Sequence, residues 1–473
     1  MAKTSNTHQI IYYALGLVGT SFTSLLVLPI MTHYIDPTDY ANLEILLTLI
    51  NLITIVIGFG LNEALFRFGG TAKNRKFINA ICSNATSMAL VIGAVTSVLI
   101  IFFAVEIKNI LPGSITRLQI IYLGISLIPC NVIVVQLNWL RLKENVKQFI
   151  LVGVFRSLLQ AVLVLSTLYA GYGVTGIMFA SAATSIITLV YFLLFQLDVP
   201  LEFNKIIQKQ LFFYGLPLSF NGIAEFVLMS LSNWWIAYVV GPTALAPFAL
   251  AMKLATITSL IIYPFYMWWN PIRYKHLDTE ESRLYTARIS EFGVVVCYLA
   301  AYLVTIGSGL LIIWFIPISY HDAMPYLAIA GYMLASKYAA DMMNIGLFLR
   351  KPQYVMYVNS VVAVITIIGF YYLIPLWHIW GAFLILQIAL YFRWFAYIYL
   401  SQRELYLVYH YVKLFAFLLI CELCGLGINY FRSTIAYIVI GGAGFIVLTV
   451  LAYLLQLIPP NKLLSYLQSK YFN

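Results

Sequence analysis

Six ionisable residues stand inside long apolar runs of this chain: Arg156, Glu225, Lys253, Lys337, Asp341 and Glu422. Four more lie nearer the ends of such runs, Glu44, Glu63, Arg67 and Glu291, and Arg393 lies deeper in its run than the loop cations do. An ionisable side chain in a membrane helix costs about 2.5–3.5 kcal/mol on insertion scales, so it faces a cavity or a partner. Lys337 and Asp341 are spaced i, i+4 and can pair on one helix face, as can Glu63 and Arg67. Glu225 and Lys253 lie at similar depth on consecutive helices, which allows a structural pair. Arg156 has no acidic residue at helical spacing, and Lys253 has none on its own helix. Arg grips phosphate oxygens in a planar fork and Lys supplies a point charge. Arg156 and Lys253 are therefore expected to anchor an anion, with Lys337 as a third. A desolvated carboxylate can carry H⁺ or Na⁺, which makes Glu225 and Asp341 the expected ion-coupling residues. Glu44, Glu63 and Arg67 are expected to line a cavity or gate. Arg393 can snorkel to the interface, and Glu422 is expected to pair locally or to sit protonated.

Those charges need apolar elements to carry them. Of 473 residues, 62% are hydrophobic and 9% charged, against roughly 25% charged in soluble domains. About fourteen apolar stretches fill the chain: 10–32, 42–66, 78–105, 118–140, 148–170, 174–197, 211–240, 244–270, 289–316, 323–349, 354–375, 379–400, 411–431 and 434–457. Most reach the roughly 20 residues that span a bilayer core as helix. They are continuous rather than alternating, so barrel strands are excluded. The fold class is an all-α polytopic membrane protein. The first run lacks a small-residue cleavage site and reads as a retained helix. Five cysteines lie in or beside apolar runs, and Cys421-x-x-Cys424 has no second ligand pair, so they read as packing residues. No catalytic set, metal site or cofactor is expected, and no GxxxxGK[ST] loop for ATP is present. Trp234-Trp235, Tyr263, Tyr266 and Trp268-Trp269 form an aromatic belt or a platform for sugar rings.

Sorting the loops alternately places 20 of the 27 basic residues on one side and three, Lys108, Arg117 and Arg432, on the other. The remaining four, Arg156, Lys253, Lys337 and Arg393, lie within spans. The positive-inside rule then puts both termini in the cytoplasm. The net charge of +10 is a topology signal with a secondary attraction to membrane lipids, and a nucleic-acid partner is not expected. Two segments align without a gap about 205 residues apart, from His33 and from Tyr238, with Pro37-Thr38 on Pro242-Thr243. An even number of spans per half predicts two six-helix lobes related by a pseudo-two-fold along the membrane normal, around a central cavity. The expected organisation is an N-lobe at 1–197, a connector at 198–210, a C-lobe at 211–400, and two further helices with a tail at 401–473.

The first hairpin, LPIMTHYIDPTDYANLEILLTLINLITIVIGFGLNEALFRF, resembles the opening of Wzx-type polysaccharide flippases. These are O-antigen or lipid-linked oligosaccharide flippases of the multidrug/oligosaccharidyl-lipid/polysaccharide exporter superfamily. The family's Gly-Leu-X-X-Ala stretch with a following Arg falls here on Gly60, Leu61, Ala64 and Arg67. GPTALAPFALAMKLATITSLIIYPFYMWWNPI is similar to the family's seventh-to-eighth helix hairpin. The likeness is strong over about 65 residues of each half and topological elsewhere. It implies movement of an undecaprenyl-pyrophosphate-linked oligosaccharide from the inner to the outer leaflet of the bacterial inner membrane, driven by H⁺ or Na⁺ antiport. The anion at Arg156, Lys253 and Lys337 would then be the pyrophosphate. Implied partners are the lipid-linked oligosaccharide and polysaccharide polymerase and assembly machinery. A multidrug exporter of the same fold is the nearest alternative. A polytopic glycosyltransferase or polymerase, with the paired Asp36 and Asp39 of the first outer loop as a catalytic base, is the enzymatic one.

Overall fold

The computed structural model describes residues 23, 25–71, 74–195, 201–274, 277, 279–429 and 434–459. Residues 10–22 of the first expected span, Lys3, Lys73, Lys275, Arg432, Lys462 and Lys470 lie outside the described residues, as do the tail from 460 and positions 198–200 of the connector. Among the described residues there are helices and no strands. Eleven helices are long and apolar enough to cross a membrane. The protein is an all-α polytopic membrane protein.

The chain divides into two compact units, Met1–Ala246 and Pro247–Asn473. The first holds α1 (Leu25–Tyr34), α2 (Pro37–Gly58), α3 (Leu61–Thr71), α4 (Arg75–Phe102), α5 (Ala104–Ile110), α6 (Arg117–Leu142), α7 (Val146–Tyr169), α8 (Gly173–Phe195), α9 (Lys205–Met229) and α10 (Leu231–Val239). Helix α11 (Pro242–Ile272) crosses the division. The second unit continues with α12 (Glu280–Phe315), the 3₁₀ segment Ile318–Tyr326, α13 (Leu327–Met342), α14 (Ile345–Arg350), α15 (Gln353–Glu404), α16 (Tyr411–Ile428) and α17 (Thr434–Leu454).

Helix α6 is the centre of the first unit and packs on α2, α3, α4, α7 and α8. In lipid, helices gain little from burying one apolar side chain against another, so polar side chains act as clasps. Gln136 Nε2 of α6 donates to Thr86 Oγ1 of α4 at 2.9 Å, Asn138 Nδ2 to Asn62 Oδ1 of α3 at 2.8 Å, and Gln119 Nε2 to Thr175 Oγ1 of α8 at 3.1 Å. Thr116 and Gln119 form a capping box that starts α6. Helix α2 starts on Pro37, and Asp36 Oδ1 accepts the Asp39 N–H at 2.7 Å. Asp36 is thus a helix cap, which accounts for its place without any catalytic duty.

Four expected single spans are broken helices, among them the run at 78–105, which divides at Phe103 between α4 and α5. The run at 42–66 divides at Phe59 and Gly60, both left-handed with φ of 43° and 57°. The run at 211–240 divides at Ser230, and the run at 323–349 at Met343 and Asn344. The runs at 354–375 and 379–400 are two helices of the stretch labelled α15, parted by a kink at His378, where φ is 52° and ψ −125°. The Gly60 break is forced by a close backbone approach. A Cβ on Gly215 of α9 would lie 1.9 Å from the Phe59 carbonyl oxygen, and one on Gly60 would lie 2.5 Å from the Gly215 oxygen.

The described part of the connector is pinned to α4. The Glu202 N–H donates to Ser83 Oγ at 2.7 Å, Ser87 Oγ to the Glu202 carbonyl at 2.7 Å, and the Asn204 N–H to Asn84 Oδ1 at 2.6 Å. Helices α9 and α10 then pack on α2, α3 and α4, which is why the division falls after Ala246.

The glycine contact yields a direct expectation. Gly215→Ala should destabilise the purified protein by about 1–3 kcal/mol through overpacking, read as a lowered melting temperature in detergent. Gly58→Ala, with nothing within 4 Å of its Cβ, should leave melting unchanged.

Candidate functional site

In the first unit, polar groups gather where α2 meets the break between α9 and α10. Thr48 Oγ1 donates to the Glu44 carbonyl at 2.7 Å and accepts from Asn233 Nδ2 at 2.9 Å. Asn51 Nδ2 donates to Ser230 Oγ at 3.0 Å, and Trp234 Nε1 to the Ile45 carbonyl at 3.1 Å. The interrupted helix frees backbone and exposes polar side chains, and α2 supplies partners for them. Glu44 stands half-buried at one end of this seam, and Glu225 half-buried five residues before Ser230. Glu63 and Arg67 are exposed on α3, with the Arg67 guanidinium 5.2 Å from the Tyr214 ring of α9. Arg156 is half-buried on α7, the least buried of the long helices in this unit. One turn on, Gln160 Nε2 donates to Ser181 Oγ of α8 at 3.0 Å, so Arg156 shares the face that α7 turns to α8. Among the described residues nothing pairs with the Arg156 guanidinium.

In the second unit the charges are mostly bound to one another. Asp341 sits at the end of α13, beside the Asn344 break. Arg393 Nη2 of α15 lies 3.6 Å from Asp341 Oδ1, and Asn344 Nδ2 donates to the same oxygen at 3.3 Å. Arg273, just beyond α11, donates from Nη1 to the Asp341 carbonyl at 2.5 Å and to Asn344 Oδ1 at 3.1 Å, and from Nη2 to the Tyr274 hydroxyl at 2.6 Å. Burial pushes the Tyr274 phenol upward from its ordinary pKa despite the neighbouring Arg273. These contacts correct two expectations. Arg393 is 4% exposed and paired, not snorkelling. Arg273, counted among the loop cations, is 3% exposed and ties α11 to the α13–α14 break. Arg273 can be buried because its guanidinium serves several acceptors, and Arg393 because the Asp341 carboxylate balances its charge.

A second cluster lies where α12 meets the start of α16. Glu291 is fully buried, receives the His410 backbone N–H, and lies 3.3 Å from both Arg288 Nη1 and His410 Nδ1. The adjacent Tyr409 phenol is raised from its ordinary pKa by burial. The i, i+3 spacing of Arg288 and Glu291 was a legible signal for this pair; His410, 119 residues further on, was not.

Lys253 is half-buried on α11, and among the described residues no side chain pairs with its ammonium. Lys337 is half-buried on α13, one turn before Asp341. Glu422 on α16 receives the Tyr391 hydroxyl of α15. Cys421 is buried and Cys424 exposed, and among the described residues no group of His, Cys, Asp or Glu could hold a metal ion. Among the described cations within the spans, Arg156 and Lys253 are the two with no partner.

Residues 30–265, 236 of the 473, match the model of a family described as polysaccharide biosynthesis protein. Against curated proteins no match is found. Among solved structures the chain is similar to the lipid II flippase MurJ in an inward closed conformation, with TM-score 0.65 and 13% identity over 94% of this chain and 99% of that one. It is similar to an outward-facing multidrug resistance MATE family transporter of the MOP superfamily, with TM-score 0.61 and 14% identity over 85% of this chain and 96% of that one. A MOP superfamily transporter from Pyrococcus furiosus, described as having a binding pocket of reverse polarity, gives TM-score 0.56 and 14% identity over 84% and 95%. The fold is the one these transporters and flippases share, and the chain belongs to the polysaccharide biosynthesis protein family.

Proposed function

We propose that this protein is a flippase that moves undecaprenyl-pyrophosphate-linked oligosaccharide repeat units from the cytoplasmic to the outer leaflet of the bacterial inner membrane. Ion-coupled alternating access of two six-helix lobes would drive it. The observation that carries this reading is the contrast among cations. Arg273, Arg288 and Arg393 are engaged by acceptors, whereas Arg156 and Lys253 are half-buried in membrane helices with no ion-pair partner among the described residues. A charge held out of water without a counter-charge is a strong electrostatic demand. A diphosphate headgroup meets it, with Arg156 gripping oxygens and Lys253 adding a point charge; Lys337 is the third cation of this set. The match to polysaccharide biosynthesis proteins and the flippase in the similar fold support the same substrate class. Both termini are assigned to the cytoplasm on the loop cations, 20 against three. Polysaccharide polymerase and assembly machinery are the fitting partners.

Glu225 and Asp341 are the proposed carriers of the coupling H⁺ or Na⁺, with Glu44, Glu63 and Arg67 as cavity or gate residues. Asp341 has a structural duty as well, because it holds Arg393. A multidrug exporter is the second reading, favoured by the similarity to MATE transporters. It would need acidic side chains to meet an amphipathic cation, and so gives the opposite dependence on Arg156 and Lys253.

Arg156→Gln and Lys253→Gln should each lower lipid-linked oligosaccharide flipping in proteoliposomes at least ten-fold, with melting temperature unchanged. Absence of lipid flipping by the wild type, with export of organic cations retained or raised in both variants, would establish the multidrug reading instead. Asp341→Asn should destabilise the protein by about 3–5 kcal/mol, because it strands the buried Arg393. The double variant Asp341→Leu/Arg393→Met should regain most of that melting temperature. If the double variant is stable yet flips normally under an imposed ion gradient, Asp341 has no coupling role, and Glu225→Gln becomes the deciding measurement.

A further inference from the structure

Glu422 differs from every other carboxylate cluster of its unit. It lies eleven residues into α16, roughly 16 Å along the axis at 1.5 Å per residue. Its partners are neutral. The Tyr391 hydroxyl donates to Oε1, and Gln387 Nε2 donates to the same oxygen at 3.4 Å. Gln387 Nε2 also lies 3.1 Å from Ser336 Oγ, which shares a 2.8 Å hydrogen bond with the Tyr298 hydroxyl. Four helices, α12, α13, α15 and α16, thus bring five oxygen-bearing side chains into one connected cluster.

The titratable groups around it are weak acids. Tyr298 comes from α12 and Tyr391 from α15. Tyr332 of α13 gives its hydroxyl to the Cys421 carbonyl at 2.5 Å. Helix α16 adds Cys421 and Cys424, and its one cation, Lys413, is nine residues back, about 13 Å along the axis. Helix α17 carries only Tyr437 and Tyr453, and Tyr437 donates to Thr305 and Asn429. Among the described residues no Lys, Arg or His pairs with Glu422.

A second, independent feature marks the same place. Gln387 is 9% exposed, and its buried Oε1 has no donor. Such an orphaned acceptor costs the desolvation of that group. A carboxylate without a counter-charge and an amide oxygen without a donor have one remedy in common.

We infer that Glu422 and Gln387, with Tyr391, Ser336 and Tyr298, form a binding site for a monovalent cation, H⁺ or Na⁺. One carboxylate balances one positive charge. A proton on Glu422 converts an acceptor into a donor that Gln387 Oε1 can accept. A sodium ion instead takes both oxygens as ligands. A divalent ion asks for more oxygens than this and usually for further carboxylates, which the cluster lacks. The site shares no residue with the Arg273–Asp341–Arg393 cluster, and its existence does not depend on which cargo the protein carries.

The test uses the full-length protein in detergent, without cargo, and reads its melting temperature. In one arm NaCl replaces choline chloride at constant pH and ionic strength. In the other the pH is lowered in choline chloride alone. One arm should raise wild-type melting by about 2–4 °C, since a ligand that binds the folded state stabilises it. Glu422→Gln, a neutral isostere of the loaded site, should melt near the raised temperature in both media and respond to neither arm. Gln387→Ala should need about ten-fold more of the effective cation for half the shift, and it carries the test if Glu422→Gln does not fold. Equal responses of the wild type and these variants in both arms would overturn the site, whatever the flipping assays show.

Discussion

A polar group placed in hydrocarbon must find its partner inside the protein, and that requirement organises this molecule more than any apolar contact does. The central helix of the first unit is held by Gln119, Gln136 and Asn138, each reaching a different neighbour. Three helix breaks among the described spans have a polar or backbone partner waiting. Ser230 meets Asn51, Asn344 meets Arg273 and Asp341, and the Phe59–Gly60 turn lies against Gly215. A break leaves backbone groups and a change of direction that lipid cannot solvate. It survives only where a neighbouring helix answers it.

The two units answer in different chemical terms. Around the Ser230 break the seam consists of amides, hydroxyls and an indole N–H. Around the Asn344 break it consists of two arginines and a carboxylate. Neutral hydrogen bonds of the first kind exchange partners at small cost, typically about 0.5–1.5 kcal/mol each net. Charged contacts of the second kind are stronger and geometrically specific. The contacts at the α13–α14 break are therefore the stronger of the two sets, and those at the α9–α10 break the weaker.

The division of labour between sequence and fold follows from period and distance. Span positions were legible because twenty apolar residues in a row admit one solution in a bilayer, and Pro37 and Pro242 begin α2 and α11 as the repeat implied. Helix breaks were not, because a run such as 211–240 stays apolar through Ser230 and hydropathy carries no dihedral angle. The Gly58-Phe59-Gly60 tract was the visible hint for one break, since glycine readily takes the left-handed backbone that Gly60 adopts. Charge pairing was legible at i, i+3 and i, i+4 and illegible beyond. Arg393 with Asp341 lies 52 residues apart, and His410 with Glu291 119. Depth in a span therefore overstated the freedom of Arg393, while the loop position of Arg273 hid its burial.

What separates a functional charge from a structural one here is the state of its neighbours rather than its depth. Asp341 and Glu291 each sit among cations and backbone donors that fix them in place. Among the described residues no opposite charge pairs with Arg156, Lys253 or Glu422, and the partners of Glu422 are neutral. Two of these are positive and one negative. An anionic ligand and a small cation ask for opposite signs, held by different residues so that neither is neutralised by the other's site. Arg156 lies on α7, Lys253 on α11 and Glu422 on α16, so each of these charges stands on its own helix.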